Sequence, residues 1–210
     1  MKRGGVHFIK SVSAYYPRYA PLIWHVKRAT SRVSITFDDG PTPLTLKVLA
    51  CLADYNVKAT FFVLGTQIEK HPEILDRLIS ARHEVGIHGY DHSMNGFLEQ
   101  VKRCKDSLVT HCVIPRIVRT PRCVIHPILT LRLWCHGYKS VIYSFDTHDS
   151  MRLEGKWSGP PPEYSQVKGG DIILMHDDNA QCIADLPCLL QSIRQNNLHP
   201  VTVSELINGS

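Results

Sequence analysis

From residue 32 to the end, short apolar runs alternate with longer stretches of helical spacing, and this alternation constrains the fold more than any other feature. Residues 33–37 (Val-Ser-Ile-Thr-Phe), 58–64, 84–87, 117–118, 140–145, 171–175 and 201–203 read as strands. Between them, Leu44, Val48, Leu49 and Leu52 recur at helical spacing, as do Ile68, Ile74, Leu75, Leu78 and Ile79 over 66–82, where Pro72 predicts an early break. An amphipathic helix is predicted over 97–111, with Leu98, Val101, Cys104 and Leu108 inward, and further helices over 127–137 and 182–195. Residues 147–170 hold Gly159, Pro160, Pro161, Pro162, Gly169 and Gly170, and so predict a long loop with little helix. Strands that alternate with helices build a parallel sheet. About seven such units predict an α/β fold closed into a distorted (β/α) barrel, whose chemistry sits at the C-terminal ends of the strands.

A chain of 210 residues suits one such domain, and no internal stretch reads as a linker. The domain is expected over residues 31–210. Residues 1–30, basic and carrying Tyr15, Tyr16, Tyr19 and Trp24, are expected to be an extension packed on it. The net charge of +5 is spread along the chain with no block of like charge, which makes no case for a nucleic-acid partner and leaves a peripheral membrane contact as the less favoured option. No window approaches the ~20 apolar residues of a membrane span. Lys10 interrupts the apolar run that a signal peptide would need. A cytoplasmic location is therefore expected, or an envelope one if a leader is missing from the sequence. The cysteines are seven, an odd number, with no Cys-x-x-Cys spacing, so neither a disulfide framework nor a thiolate zinc site is expected. Mostly buried thiols in a reducing compartment are expected instead.

Thr36-Phe37-Asp38-Asp39-Gly40-Pro41 puts two adjacent carboxylates at the end of a buried strand. They repel, and burial raises the cost of ionising both, so something cationic should lie beside them. Asp, Gly and Pro are also ordinary turn formers, so the stretch gains meaning only from the residues further along the chain. In His88-Gly89-Tyr90-Asp91-His92 the two histidines are four apart and share a face if the segment is a helical turn. With one strand-end Asp they make a three-ligand set that leaves positions for water and substrate. One carboxylate and two imidazoles suit zinc, iron, cobalt or nickel. Spacing does not say which of Asp38 and Asp39 is ligand and which is base. Arg119, after a short strand, can pair with a carboxylate. His176 ends the apolar strand before it and is a candidate general acid or base. Asp146 and Asp149 end another strand, where capping or turn formation would also account for them.

Taken in order, Thr36 to Pro41, His88-x-x-x-His92, Arg119-x-Pro121, Asp146-x-x-Asp149 and Leu174-Met175-His176-Asp177 resemble the motifs of the polysaccharide deacetylases of carbohydrate esterase family four, which share the NodB homology domain. The likeness runs over roughly residues 31–208. It implies a NodB-like barrel and a metal-dependent hydrolase that removes acetate from N-acetylglucosamine-type residues of a glycan or oligosaccharide. It implies that Asp39, His88 and His92 hold one divalent metal, zinc first, with cobalt, nickel or iron as alternatives. Asp38 would be the general base, paired with Arg119. His176 would be the general acid, oriented by Asp146. Leu174 would line the pocket for the acetyl methyl, and the N–H of Arg122 would face the oxyanion. With Tyr143, these two are the candidate substrate-binding residues.

Three positions depart from the family pattern. Gly89 stands where Ser or Thr is usual. Arg122-Cys123 replaces the usual Tyr-Gly. Ser150 takes the place of a tryptophan, whose wall Trp157 would have to supply. These departures leave room for two other functions: a barrel amidohydrolase acting on a small non-glycan amide, or a glycan-binding module with a decayed site. The complete set Asp38, Asp39, His88, His92 and His176 argues against decay.

Overall fold

The computed structural model describes residues 17–209. Its strands are β1 (Leu22–Ile23), β2 (Arg32–Asp38), β3 (Thr60–Leu64), β4 (Glu84–Gly89), β5 (Ile117–Val118), β6 (Lys139–Val141), β7 (Phe145–Asp146), β8 (Ile172–His176) and β9 (His199–Pro200). The helices are α1 (Thr45–Asp54), α2 (Gly65–Lys70), α3 (Pro72–Ser80), α4 (Phe97–Thr110), α5 (Pro127–Cys135), α6 (Asp149–Leu153), α7 (Ala180–Gln195) and α8 (Val203–Asn208). Eight strands run in the order β1-β6-β5-β4-β3-β2-β8-β7, and β9 pairs with the start of β2. Every one of these pairings is parallel. The result is a distorted (β/α) barrel. Among the described residues no ladder joins β7 to β1; a single antiparallel bridge, His25 to Asp171, crosses near that side.

The two faces of β2 show why the sheet needs cover on both sides. Val33, Ile35 and Phe37 belong to the large cluster that also takes in Val48 and Leu52 of α1, Leu75 and Leu78 of α3, Val101 and Leu108 of α4, and Leu186 and Leu190 of α7. Residues one step out of phase face the barrel interior, where Phe62, Ile117, Val141 and Ile172 meet Val203, Leu206 and Ile207 of α8. Helix α8 starts with a capping box between Thr202 and Glu205. The Val203 N–H donates to Thr60 Oγ1, and the Ser204 N–H to Glu84 Oε2, at the first residues of β3 and β4. It thus closes the N-terminal mouth of the barrel and leaves the C-terminal mouth for chemistry.

Five expectations change here. The run 140–145 is two strands, β6 and β7, which lie at opposite ends of the sheet order, because residues 142–144 leave one ladder before the next begins. Residues 201–203 are not a strand: β9 ends at Pro200, and the Thr202 capping box starts a helix in their place. Pro72 does not merely interrupt a helix over 66–82 but opens a second one, at a position where its missing N–H is not needed. Within the segment set apart as an extension, β1 is an edge strand of the main sheet, paired with β6; Tyr15 and Tyr16 lie outside the described residues. Only Cys104 and Cys182 are buried thiols, while Cys112, Cys135 and Cys188 are exposed; all seven are free.

Candidate active site

Parallel strands end at one mouth of the barrel, and the chemistry-bearing side chains follow their ends. Asp38 is the last residue of β2, His88 precedes the last residue of β4, and Arg119 follows β5 directly. Asp146 and His176 are the last residues of β7 and β8. Asp38, Asp39, His88, His92, Asp146 and His176 line one cleft of about 390 Å³, together with Arg122, Tyr143 and Leu174. Every residue to which the family likeness gives a role lines this cleft, except Arg119, which lies fully buried behind it.

Arg119 is placed by its partners. Its Nη1 donates to Asp38 Oδ1 and to Thr36 Oγ1, both at 2.8 Å, and its Nε donates to the carbonyl of Val141 at 3.3 Å. The guanidinium lies over the Phe62 ring, 4.2 Å from its centroid. A buried cation thus meets the Asp38 carboxylate, itself 2% exposed.

Asp39, His88 and His92 each offer a ligand atom, and these atoms lie within 4.8 Å of one another. The pair of histidines does not sit on a helical turn. His88 is on β4, and His92 is in the following loop with φ 62°, so the two rings converge from strand and turn. Gly89 makes that bend at φ 110°, where a Ser or Thr would be strained and a Cβ would press on the Phe97 ring at 3.1 Å. The loop is then held by Gln100 of α4, whose side-chain oxygen accepts from the N–H groups of Tyr90 and Asp91 at 3.0 and 3.1 Å. Sequence reasoning missed Gln100; its one signal is a polar residue among the apolar positions of an amphipathic helix.

The donor chemistry of this trio fits a cation. His88 Nδ1 faces the carbonyl of Arg119 at 2.9 Å. A carbonyl only accepts, so Nδ1 carries the proton and Nε2 is a bare lone pair. That lone pair points at Asp39 Oδ1, 3.5 Å away, and at Asp38 Oδ2, 3.7 Å away. His92 Nε2 lies 3.6 Å from the same Asp39 oxygen. Asp39 Oδ1 is buried with no hydrogen-bond partner among the described residues. Burial, reinforced by the charge of Asp38, pushes Asp39 up to about 7, and burial takes His88 down to about 4 and lowers His92. Lone pairs that face each other in a buried site repel unless a cation lies between them.

His176 is oriented by Asp149, not by Asp146 as the family likeness implies. Its Nδ1 lies 2.7 Å from Asp149 Oδ1, and its backbone N–H donates to Asp149 Oδ2 at 2.8 Å. Asp149 also accepts from the Ser150 N–H at 2.9 Å. Burial alone would raise Asp149, but these donors hold it below its ordinary value. Burial alone would likewise lower His176; the hydrogen bond and charge of Asp149, with Asp38 and Asp39, lift it to about 9. Asp146 instead accepts the His148 N–H at 2.8 Å and hydrogen-bonds Tyr143, whose phenol is pushed up to about 12 by burial and by that carboxylate. The spacing Asp-x-x-Asp offered both carboxylates, and only the start of α6 at Asp149 turns the second one under β8.

The cleft walls follow the departures. Trp157 does not line this cleft; it stacks on His148 at 3.7 Å in a neighbouring groove. The apolar wall is built by Leu174, Tyr143, Met151 and Cys123. Burial pushes the Cys123 thiol up to about 12, so it is a wall and not a nucleophile.

The chain is similar to known proteins in sequence and in fold. The family model for polysaccharide deacetylase matches residues 25–122. A peptidoglycan-N-acetylglucosamine deacetylase of Bacillus cereus is 30% identical over 200 residues, 88% of this chain and 92% of that protein. A chitooligosaccharide deacetylase of a Bradyrhizobium strain is 29% identical over 163 residues, 70% of this chain and 71% of that protein. The solved structure of the T48 deacetylase with substrate superimposes with a TM-score of 0.76 at 30% identity, covering 87% of this chain and 94% of that one. The chain belongs to the polysaccharide deacetylase family, the NodB-like barrel deacetylases of carbohydrate esterase family four.

Proposed function

We propose that this protein is a metal-dependent N-deacetylase that hydrolyses the acetamide of N-acetylglucosamine-type residues in a glycan. One observation carries the reading: the three converging donors of Asp39, His88 and His92 share a cleft with a carboxylate–guanidinium pair and with an imidazole tied to a carboxylate. The relatives' substrates, peptidoglycan and chitooligosaccharide, supply the substrate class.

A divalent cation held by Asp39, His88 and His92 would acidify water and draw electron density from the acetamide carbonyl. The rest falls to the chain's own residues. Asp38 takes a proton from the attacking water, and Arg119 balances its charge through the 2.8 Å contact, which fixes the carboxylate's orientation. Leu174, 6% exposed, and Met151 give the acetyl methyl an apolar wall. His176 carries its proton at neutral pH and gives it from Nε2 to the departing nitrogen, because Asp149 occupies Nδ1. The products are acetate and a glucosamine-type amine. Zinc suits the two-nitrogen, one-carboxylate donor set.

A panel of acetylated glycans with released acetate as readout tests this reading. Release from an N-acetylglucosamine polymer or oligomer is expected. Turnover of small amides only, with every glycan inert, would point to the amidohydrolase function instead.

A further inference from the structure

The outward side of α5 takes no part in the proposed chemistry, yet it is apolar. Within the helix only Leu133 is fully buried. On the other side Ile128, Leu131 and Trp134 recur every third residue and are 67%, 53% and 45% exposed. Val124, just ahead of the helix, is exposed too. Single apolar side chains are ordinary on a protein surface, but a row of them marks a contact. The row starts at the cleft, because Arg122 and Cys123 line the mouth and Val124 comes next.

The charge around this row has one sign. From Ser107 to Phe145 the chain carries no aspartate or glutamate, while Arg116, Arg122 and Arg132 are exposed there. Arg132 and His136 share a groove of about 290 Å³ with Lys102 and Lys105 of α4. Leu98, Lys102, Lys105 and Val109 recur at helical spacing, so one side of α4 carries them all, and Val109 is exposed. Glu99 is the one carboxylate that lines the groove.

We infer that the α4–α5 face docks on an anionic phospholipid bilayer. Ile128, Leu131 and Trp134 enter the interfacial layer, and Lys102, Lys105 and Arg132 meet the headgroup phosphates. The inference stands apart from the deacetylase reading, since it uses none of the proposed metal or proton-transfer residues. Two kinds of chemistry recognise such a surface. Tryptophan and aliphatic side chains in a helical row fit the boundary between headgroups and acyl chains. Cations beside them are drawn to the negative surface, and a stretch without carboxylates adds no repulsion. A second copy of the chain fits less well. A two-fold pairing through this face would set Lys102, Lys105 and Arg132 of one copy against the same cations of the other. Docked on a bilayer, the face brings the cleft mouth, at Arg122, beside the headgroups.

The test is co-sedimentation of the full chain with vesicles of phosphatidylcholine alone, and with vesicles in which about one-third of the lipid is phosphatidylserine. Retention on the phosphatidylserine vesicles is expected, with little on phosphatidylcholine alone, and it should fall as salt is raised. Leu131→Ser combined with Trp134→Ser should weaken vesicle binding by roughly tenfold. Lys102→Gln, Lys105→Gln and Arg132→Gln should each weaken it by roughly fivefold. These positions are exposed, so the melting temperature should not move. Trp134→Phe should keep the binding but lose the vesicle-induced shift of indole emission to shorter wavelength, a readout that misfolding would not reproduce. No retention on phosphatidylserine vesicles at low salt would overturn the inference, and so would equal retention of every variant. Equal, salt-insensitive retention on both kinds of vesicle would overturn the role of the cations. If the unmutated protein ignores vesicles but self-associates, and Leu131→Ser with Trp134→Ser makes it monomeric, the face pairs copies of the chain and the membrane inference falls.

Discussion

His176 and Asp149 form the most informative contact in the cleft, because the bond at Nδ1 leaves Nε2 as the only nitrogen that can donate to a substrate. The imidazolium is the donating form, so activity should fall as pH rises through its pKa, about 9 before any cation is bound. The same pair stabilises the fold in full below the ordinary histidine value of 6.5 and loses that contribution as pH rises through about 9. Asp149→Asn removes the carboxylate that lifts His176. It should cost about 10²–10⁴-fold in kcat/KM, the usual worth of a proton-transfer group, and move the basic limb of the pH–rate profile to lower pH. His176→Ala should remove that limb. Asp146→Asn should leave the limb where it is, since Asp146 touches His148 and Tyr143 instead. If Asp146→Asn shifted the limb and Asp149→Asn did not, the assignment of the orienting carboxylate would be wrong. Asp38 and Asp39 make the matching case for what sequence can carry. Their adjacency already called for a cation, but only the contact of Arg119 with Asp38, and the unpartnered oxygen on Asp39, distinguish the two.

Strand ends were legible because hydrophobic runs stop where the side chains must turn polar: Ile172 to Met175 are buried, and the partly exposed His176 ends the strand. Loops were not, because their shape is set by single backbone angles and by distant partners. His92 reaches the site through a left-handed residue angle, and its loop hangs on Gln100 from α4, eight residues later in the chain. Gln100→Ala should therefore weaken metal affinity by about 10–100-fold, as losses of supporting partners do, without unfolding α4, whose packing rests on Phe97, Val101, Cys104 and Leu108. Isothermal titration of the metal-free variant checks this. Unchanged affinity would mean that the loop is rigid without Gln100. Gly40 behaves similarly in the loop after β2: a Cβ there would lie 2.2 Å from Asp177 Oδ2. Gly40→Ala should displace Asp39 and lower the melting temperature, whereas an unshifted midpoint would show that Asp177 moves aside.

At the scale of the molecule, the alternation of strand and helix was enough to anticipate a parallel barrel, since a buried parallel sheet needs helices on its outer face. It could not reveal how the barrel is stopped. β1 is too short for a periodic signal, and α8 plugs the N-terminal mouth with Val203, Leu206 and Ile207, which a strand reading of Val201 to Val203 had obscured. All seven cysteines are free, so thiol titration of the denatured, unreduced protein should find seven reactive groups, and any disulfide found would contradict the structure. In the proposed function, Asp39, His88 and His92 hold a cation without which the acid and base of the cleft do nothing. Its most direct test is acetate release from chitotetraose before chelation, after exhaustive chelation, and after return of one equivalent of zinc, with the bound metal counted at each stage. Activity should vanish with the metal and return with one ion per chain. Undiminished acetate release from metal-free protein would contradict it.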